Sequence, residues 1–211
     1  MTPKITAPKI QEGRLEPETD LYLESRIEIT DRLIEQTEFT GLEADRVSFD
    51  RALFRQVTIT ESVLRGAEFT DVVFERCDFS NMNFAGVFLN RVIFKDCKLI
   101  GTDFGGGRMQ QVRFTHCIAD YANFRLVKFK SVLFEDCSLV GIDYYAATVQ
   151  QFGLERCKID RANLAEVKLK GVDLSTCEFD SLIVNLEDLE GCKIAPNQAS
   201  VFVGLLGLVI K

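Results

Sequence analysis

Every fifth residue of this 211-residue chain is apolar from Ile34 to Ile194, without a single slip of register. Fourteen of the seventeen Phe residues lie in that register. A period of five fits neither the 3.6-residue period of an amphipathic helix nor the two-residue period of an ordinary strand. A short fixed repeat instead indicates a solenoid, in which each unit buries its apolar face by stacking on its neighbours.

A second inward position lies two residues before each of these centres, and its residue type repeats every twenty residues. Six cysteines share that spacing, namely Cys77, Cys97, Cys117, Cys137, Cys157 and Cys177, and so do Val72, Val92, Val112 and Val132. Twenty residues are four pentapeptides, so we expect four faces per coil. The sequence therefore predicts an all-β solenoid, a right-handed quadrilateral parallel β-helix. With coils about 4.8 Å apart, roughly eight of them make a rod about 40 Å long.

The two ends of the chain differ from the repeat. Residues 1–30 contain three of the four prolines among scattered charges, and we expect them to form a partly irregular N-terminal cap. Residues 31–194 are the predicted β-helix, and Glu187, at an inward position, signals its end. Pro196 suits the first position of a helix and Gly207 suits a stop. Residues 195–211 are therefore expected to hold a short helix, Pro196 to Leu206, that caps the last coil.

The C-terminal segment is more apolar than one buried face requires. We expect this surplus to join two copies end to end in a two-fold homodimer. The alternative is a monomer whose tail folds wholly onto the cap. The residues predicted for the dimer interface are Phe202, Leu205, Leu206, Leu208, Val209 and Ile210.

The composition favours a cytoplasmic protein. The N-terminus lacks a charged segment followed by an apolar one, so we expect no signal peptide. The apolar run from Val201 to Ile210 is far shorter than the ~20 residues that span a bilayer, so we expect no membrane contact. Seven cysteines without an export signal indicate a reducing compartment. Their ladder spacing predicts buried thiols rather than a metal or redox site, and no metal or cofactor is expected.

No catalytic constellation emerges from the sequence. The single histidine, His116, falls at an outward corner, and Gly105–Gly107 lacks the Lys and Ser/Thr that complete a phosphate-binding loop. Asp103 and Asp143 alternate with Asn123 and its equivalents along one face. That alternation favours turn hydrogen bonding over a paired acid and base. We therefore expect a protein that is not an enzyme.

Surface charge is distributed unequally around the predicted rod. Between residues 35 and 183, the two corners that flank the cysteine face carry sixteen acidic and seven basic residues, whereas the opposite two corners carry six acidic and eleven basic ones. Such a face is commonly only solvated surface. A stiff rod with regularly spaced anionic charge can also occupy a DNA-binding groove as duplex DNA does. The predicted partner-binding residues are Glu75, Asp78, Asp96, Asp103, Asp120, Glu135, Asp136, Asp143, Glu155, Asp160 and Asp180.

Local segments resemble a known family. Thr102-Asp103-Phe104, Ala122-Asn123-Phe124 and Ala162-Asn163-Leu164 match the A(D/N)LXX pattern of pentapeptide-repeat proteins. The length, the segment 77–81 and the C-terminal segment that begins at Pro196 resemble the loopless members of the quinolone-resistance (Qnr-like) group. That resemblance implies a DNA mimic that binds DNA gyrase first and topoisomerase IV second, and that protects them from fluoroquinolones or inhibits them.

Two functional alternatives stay open at this point. Strongly protecting members of that group carry loops that break the five-residue register, and this chain has none, which leaves simple gyrase inhibition open. The net charge of −7 argues against direct binding of nucleic acid by this chain. The second hypothesis is a cytosolic protein-interaction scaffold that binds a different partner through one of its charged sides.

Overall fold

Eight-residue strands recur every twenty residues in the computed structural model, which describes residues 2–19 and 21–208 of the chain. The predicted parallel β-solenoid is confirmed, with about 8 turns. Its strands are β1 (Glu16–Pro17), β2 (Glu28–Glu35), β3 (Glu38–Thr40), β4 (Ser48–Arg55), β5 (Thr58–Thr60), β6 (Glu68–Glu75), β7 (Phe88–Lys95), β8 (Arg108–Thr115), β9 (Lys128–Glu135), β10 (Thr148–Glu155), β11 (Ala162–Asn163) and β12 (Leu182–Ile183).

The strands pair in the twenty-residue register that the cysteine and valine series predict. Phe74 lies opposite Phe94, and Phe94 lies opposite Phe114. The principal sheet has eight parallel strands in the order β1-β2-β4-β6-β7-β8-β9-β10, and two short sheets pair β3 with β5 and β11 with β12. On the remaining faces single parallel bridges, such as Asp103 with Asn123, continue the ladder from coil to coil.

The corners are formed by residues in the left-handed region. Asp71, Arg91 and Gln111, in the middle of β6, β7 and β8, have φ of 55°, 54° and 56°. An L-residue in this conformation costs roughly 1–2 kcal/mol, and here the inter-coil hydrogen bonds on both sides of each corner offset that cost. The strands therefore bend in the middle, and the outward side chains of successive coils stand in columns.

Phe side chains fill the interior of the solenoid. Phe94, Phe114 and Phe134 stack face to face, with ring centroids 4.7 Å and 4.3 Å apart. The cysteine ladder is buried, and all seven cysteines of the chain are free thiols. The Cys97 thiol donates a hydrogen bond to the carbonyl oxygen of Phe74 at 3.4 Å. Burial raises the pKa of the Cys177 thiol to about 11, because the thiolate would lose its hydration.

One corner of the last coil departs from the repeat, although the inter-coil ladder continues to Lys193. A 3₁₀-helix, Leu186–Asp188, lies where the preceding coil has the left-handed corner residue Glu166, so that Glu187 is exposed and Asp188 is buried instead. The Asp188 carboxylate accepts hydrogen bonds from Lys168 Nζ at 2.7 Å and from the Glu166 amide at 3.1 Å. The inward expectation for Glu187 is therefore wrong. The change of backbone geometry moves the buried position by one residue.

The predicted C-terminal helix is confirmed. A 3₁₀-turn (Pro196–Gln198), α1 (Ala199–Val203) and a second 3₁₀-turn (Gly204–Leu206) follow one another directly, and Gly207 ends them with φ of 72°. The buried Gln198 side chain donates hydrogen bonds to the carbonyl oxygens of Leu174 at 2.9 Å and Cys177 at 2.7 Å. These bonds close the open end of the last coil.

Candidate partner-binding face

The eleven acidic residues selected from the sequence lie along two neighbouring corners of the solenoid and the faces beside them. We call the first corner the Arg156 ridge; it carries Glu75, Asp96, Glu135, Asp136 and Glu155. Asp120, Asp160 and Asp180 lie at the second corner, and Asp103 and Asp143 lie on the face that follows it; we call these five residues and the outward positions around them the Asp120 ridge. Asp78 lies on the cysteine face between the two ridges. Only Asp96 and Asp180 of the eleven are exposed, and the other nine are half-buried.

Basic side chains from adjacent coils neutralise much of the Arg156 ridge. Arg156 bonds to Glu135 at 2.8 Å and to Asp136 at 2.7 Å. Its guanidinium holds the pKa of Asp136 below the usual range. At the same ridge Glu75 accepts from Arg55 at 3.1 Å and lies 3.3 Å from Lys95 Nζ, and these two cations lower the pKa of Glu75. The carboxylates stay ionised, but the neighbouring cations cancel much of their negative charge.

Carboxylates of the Asp120 ridge are held by hydrogen bonds from the next coil. Asp120 accepts the hydroxyl of Ser138 at 2.6 Å and the amide of Val140 at 2.9 Å. Asp160 accepts the amides of Asp180 at 3.1 Å and Ser181 at 2.9 Å. Burial raises the pKa of Asp160, but these donors outweigh it and leave the pKa below its usual value. The anionic oxygens on this ridge are therefore fixed in place.

Asp103 and Asp143 take part in the predicted turn hydrogen bonds. The Asn123 amide group donates to Asp103 at 2.7 Å, and the Asn163 amide group donates to Asp143 at 3.0 Å. Each aspartate also accepts the main-chain amide two residues further on, as Asp103 does from Gly105 at 2.8 Å. The alternation of Asp and Asn thus forms a ladder along the rod. It holds two charges of the Asp120 ridge at fixed positions.

Few cations reach the Asp120 ridge. Its outward positions between residues 40 and 183 carry seven acidic residues and one basic residue, Arg161. Arg161 pairs with the adjacent Asp160 at 3.3 Å, and Arg125 reaches Asp143 from the next corner at 3.0 Å. Three acidic residues of this ridge are exposed and have no ion-pair partner within the described chain: Glu43, Glu61 and Asp180. This ridge therefore presents more uncompensated negative charge than the Arg156 ridge.

An exposed apolar group interrupts the acidic face. Ile100 is 37% exposed, Ile118 is 40% exposed and Tyr121 is 60% exposed. The Tyr121 ring lies beside Gly141, where an added Cβ would come within 2.7 Å of its Cε1 atom. The charge pattern of the sequence did not predict this apolar group. Its signal in the sequence is three large apolar residues at outward positions of an otherwise polar face.

The residues predicted for the dimer interface divide between two environments. Phe202 packs against Phe179 at the end of the core, with ring centroids 6.0 Å apart. Leu205, Leu206 and Leu208 are 38%, 61% and 59% exposed. Val209 and Ile210 lie outside the described residues. An exposed leucine group thus remains at the C-terminal tip after Phe202 has closed the cap.

Residues 2–19 and 21–208 contain neither a metal-binding cluster nor a membrane-spanning helix. No group of three or more His, Cys, Asp or Glu side chains there could hold a metal ion. No helix in that part of the chain is long and apolar enough to cross a membrane. His116 is exposed at a corner, with φ of 53°.

Comparison with known families agrees with this geometry. Residues 67–143 match the family model described as a pentapeptide repeat region, and residues 48–81 match the model of pentapeptide repeats in eight copies. Residues 48–143 therefore form a pentapeptide-repeat region. The five-residue register, the four faces and the stacked Phe columns are the repeat of this family seen in three dimensions. No curated protein matches the chain significantly.

Several solved structures resemble this pentapeptide-repeat chain at low identity. A trypsin-treated form of QnrB1, a plasmid-mediated fluoroquinolone resistance protein, is 20% identical over 83% of this chain and 100% of that chain, with a TM-score of 0.40. HetL, which is involved in heterocyst differentiation regulation in the cyanobacterium Nostoc, is 17% identical over 81% and 84%, with a TM-score of 0.36. Values this low do not transfer a function to this chain.

Proposed function

We propose that this chain is a binding protein that places the Asp120 ridge in the DNA-binding groove of a type II topoisomerase, DNA gyrase first and topoisomerase IV second. The observation that carries the proposal is the ridge itself. Its carboxylates repeat at one- or two-coil intervals, with coils about 4.8 Å apart, and hydrogen bonds hold several of them in place. Because these carboxylates are already fixed, binding a partner's Lys and Arg side chains costs little conformational entropy on this side of the interface. The phosphates of DNA share this property.

The charge density of the chain is lower than that of duplex DNA, and this limits how closely the chain can mimic DNA. Duplex DNA carries about one negative charge per 1.7 Å of its axis. The chain carries a net charge of −7, and over a rod of about 40 Å that is roughly one net charge per 6 Å. The solenoid therefore matches DNA only along its acidic side. Binding should weaken steeply with salt, because exposed charges are screened over about 10 Å at 0.1 M ionic strength.

The expected consequence of binding is competition with DNA. A topoisomerase whose groove is occupied by the rod cannot hold its DNA segment, so supercoiling is inhibited. Protection from fluoroquinolones requires in addition that the rod destabilises the complex of enzyme, cleaved DNA and drug. The uninterrupted five-residue register contains no loop that could reach into such a complex, so the shape of this chain favours inhibition over protection.

The first test is a supercoiling assay with purified gyrase and increasing amounts of the chain, with and without ciprofloxacin. Dose-dependent inhibition in the absence of drug supports the proposed function. Recovery of supercoiling in the presence of drug would show protection as well. No effect at micromolar concentrations of the chain would overturn the choice of a type II topoisomerase as partner.

A specific observation favours a second candidate, an interaction scaffold with a different protein partner. Ile100, Ile118 and Tyr121 form an apolar group on the acidic side that has no counterpart in the phosphate backbone of DNA. Exposed aromatic residues within a polar surround are typical of the energetic centre of a protein interface. The substitution Tyr121→Ala separates the two functions. It should leave inhibition of gyrase nearly unchanged under the first proposal and abolish capture of the partner under the second.

A further inference from the structure

A column of apolar side chains faces outward from the principal sheet. Leu33, Leu53, Val73, Ile93 and Leu133 each precede an inward aromatic or aliphatic centre by one residue, and their strands pair them from coil to coil except where Arg113 intervenes. We call these five residues the outer stripe. Leu53 and Leu133 are only 3% and 2% exposed, yet neither belongs to the core cluster inside the solenoid. Something outside the solenoid covers them.

The cover is residues 2–15, which we call the N-terminal strap. Pro3 and Leu15 are buried and Ile5, Pro8 and Ile10 are half-buried, whereas the residues between them are mostly exposed. From Pro3 to Ile10 the strap presents an apolar side chain to the solenoid at intervals of two or three residues and polar side chains to solvent. This part is an extended amphipathic segment laid over an apolar column, and a 3₁₀-turn, Glu12–Arg14, then leads to the buried Leu15.

Four polar contacts fix the direction of the strap. Thr2 bonds to Glu155, the Thr6 amide donates to Gln111 Oε1 at 2.6 Å, the Lys9 amide donates to Asp71 Oδ1 at 2.8 Å, and Glu12 pairs with Arg55 at 2.8 Å. As the strap advances from residue 2 to residue 12, its partners fall from residue 155 to residue 55. The strap therefore crosses five coils, running from the C-terminal coils towards the N-terminal ones. The contacts lie on both sides of the outer stripe.

Gly153 leaves the space that Pro3 of the strap occupies. A Cβ atom added to Gly153 would lie 2.8 Å from Pro3 Cδ and 2.9 Å from Leu133 Cδ1. Both distances are shorter than real Cβ contacts, so any larger residue at this position would displace the proline. Gly153 follows Leu133 in the outward column. The absence of a side chain there creates a notch, and Pro3 occupies it.

The strap is held by side chains rather than by a strand ladder. The amides of Thr6 and Lys9 donate to side-chain oxygens, and regular pairing begins only at β1, after the strap has ended. An extended segment with few main-chain hydrogen bonds and a half-exposed apolar side has low local stability. Recognition of this kind, through pockets for proline and aliphatic side chains, is how polyproline-type peptides are bound.

We propose that the outer stripe is a docking groove for an extended peptide of a protein partner, and that residues 2–15 occupy this groove in cis. The partner segment has proline or aliphatic side chains at intervals of two or three residues and polar side chains between them, as residues 3–10 of the strap do. The groove margins carry both signs of charge, so they can pair with polar side chains of either sign, as Arg55 pairs with Glu12 of the strap. This proposal does not depend on the topoisomerase assignment.

The test uses the full-length chain and a fluorescently labelled synthetic peptide of residues 2–15. The substitutions Pro3→Asp, Ile5→Asp and Ile10→Asp release the strap without shortening the chain. Because a tethered strap acts at an effective concentration of millimolar order, the peptide should bind the released variant at least about tenfold more tightly than the unmodified chain. A peptide that carries Ile5→Asp and Ile10→Asp should not bind.

Matched substitutions locate the binding site. Adding Leu133→Asp to the released variant should weaken peptide binding by about tenfold or more, because a buried unpaired charge replaces an apolar contact. Adding Ile118→Asp, which changes an outward isoleucine on the cysteine face, should leave the affinity within about twofold, since the polar contacts of the strap lie on other faces and corners. Equal effects of the two substitutions would contradict the assignment of the groove.

A folding control keeps the proposal falsifiable. Circular dichroism melts of the released variant and of the milder Pro3→Asp variant show whether the solenoid persists without the strap in place. A folded released variant that fails to bind the peptide would overturn the proposal. Loss of the fold in both variants would also overturn it, because the strap would then be a permanent part of the core rather than a ligand.

Discussion

Phe124 illustrates how one residue supports the fold from the centre of a coil. Its ring is fully buried and stacks between Phe104 and Tyr144, with centroids 4.8 Å and 5.5 Å away. Cys137 is equally buried, but its side chain is much smaller. The two residues therefore separate the contribution of a packed aromatic column from that of the thiol ladder.

Phe124→Ala should lower the free energy of unfolding by about 3–5 kcal/mol, because a large cavity is left between two rings that cannot collapse. Cys137→Ala should cost much less, since it removes a single sulfur atom. Chemical denaturation of both variants measures the difference. Equal losses would mean that the aromatic column does not dominate the core.

Tyr144 departs from the apolar rule of the core. Its hydroxyl is completely buried and has no hydrogen-bond partner among the described residues. Burial raises the pKa of this hydroxyl well above the ordinary value. Tyr144→Phe should increase the free energy of unfolding by about 1 kcal/mol, because an unsatisfied buried polar group carries a penalty of about that size. A thermal melt that shows a clear loss of stability would indicate a hydrogen bond to Tyr144 that the structure does not contain.

At the scale of elements, the C-terminal helical segment has a packed and an exposed apolar part within eleven residues. Phe202 packs on Phe179 and closes the core, whereas Leu206 is largely exposed. We propose that the exposed leucine group joins two copies end to end. A two-fold rod of this kind would present an Asp120 ridge on each arm, and a two-fold partner such as a type II topoisomerase could engage both arms with a gain in avidity.

Phe202→Asp and Leu206→Asp should therefore differ in outcome. Phe202→Asp places a charge against Phe179 and should lower the melting temperature. Leu206→Asp should leave the melting temperature nearly unchanged and convert a dimer into a monomer, since it changes only exposed surface. Light scattering and thermal melts distinguish the two effects. If the unmodified chain is monomeric at tens of micromolar, the dimer and its avidity are both refuted.

The elements that repeat were predictable, and those that do not repeat were not. The five-residue register around Phe124 specifies the solenoid, and Pro196 and Gly207 specify the ends of the last helix. Asp188 escaped prediction because a single 3₁₀-turn moves the buried position away from Glu187. The strap escaped it because its contacts span up to 153 residues and leave no local period.

The positions of the acidic residues could be predicted from the sequence, but the net charge that each ridge presents could not. The five-residue register assigns most of the acidic residues to two adjacent ridges. It did not show that Arg156 would bind both Glu135 and Asp136, because the direction of a long side chain depends on the coil above and below it. Charges of opposite sign one coil apart in the same column are the sequence signal for such pairs. The Asp120 ridge, which contains few of them, is consequently the better candidate.

At the scale of the whole molecule, the rod presents a charged surface whose sides differ in sign. Reversal of three exposed acids on the Asp120 ridge, Glu43→Lys, Glu61→Lys and Asp180→Lys, changes the net charge from −7 to −1. A matched triple on the next corner, which carries Arg125, consists of Asp45→Lys, Glu68→Lys and Glu166→Lys and makes the same change in net charge. All six residues are exposed, so we expect both variants to keep the fold.

The most direct measurement is the affinity of the three proteins for purified gyrase, with unlabelled duplex DNA as competitor. We predict that the unmodified chain binds and is displaced by DNA, that the Asp120-ridge triple loses at least about tenfold in affinity, and that the matched triple on the next corner loses less than about threefold, because groove binding depends on where the charges lie as well as on their sum. Equal affinities for the two variants, or binding of gyrase that duplex DNA does not reduce, would contradict the proposed mimicry of DNA.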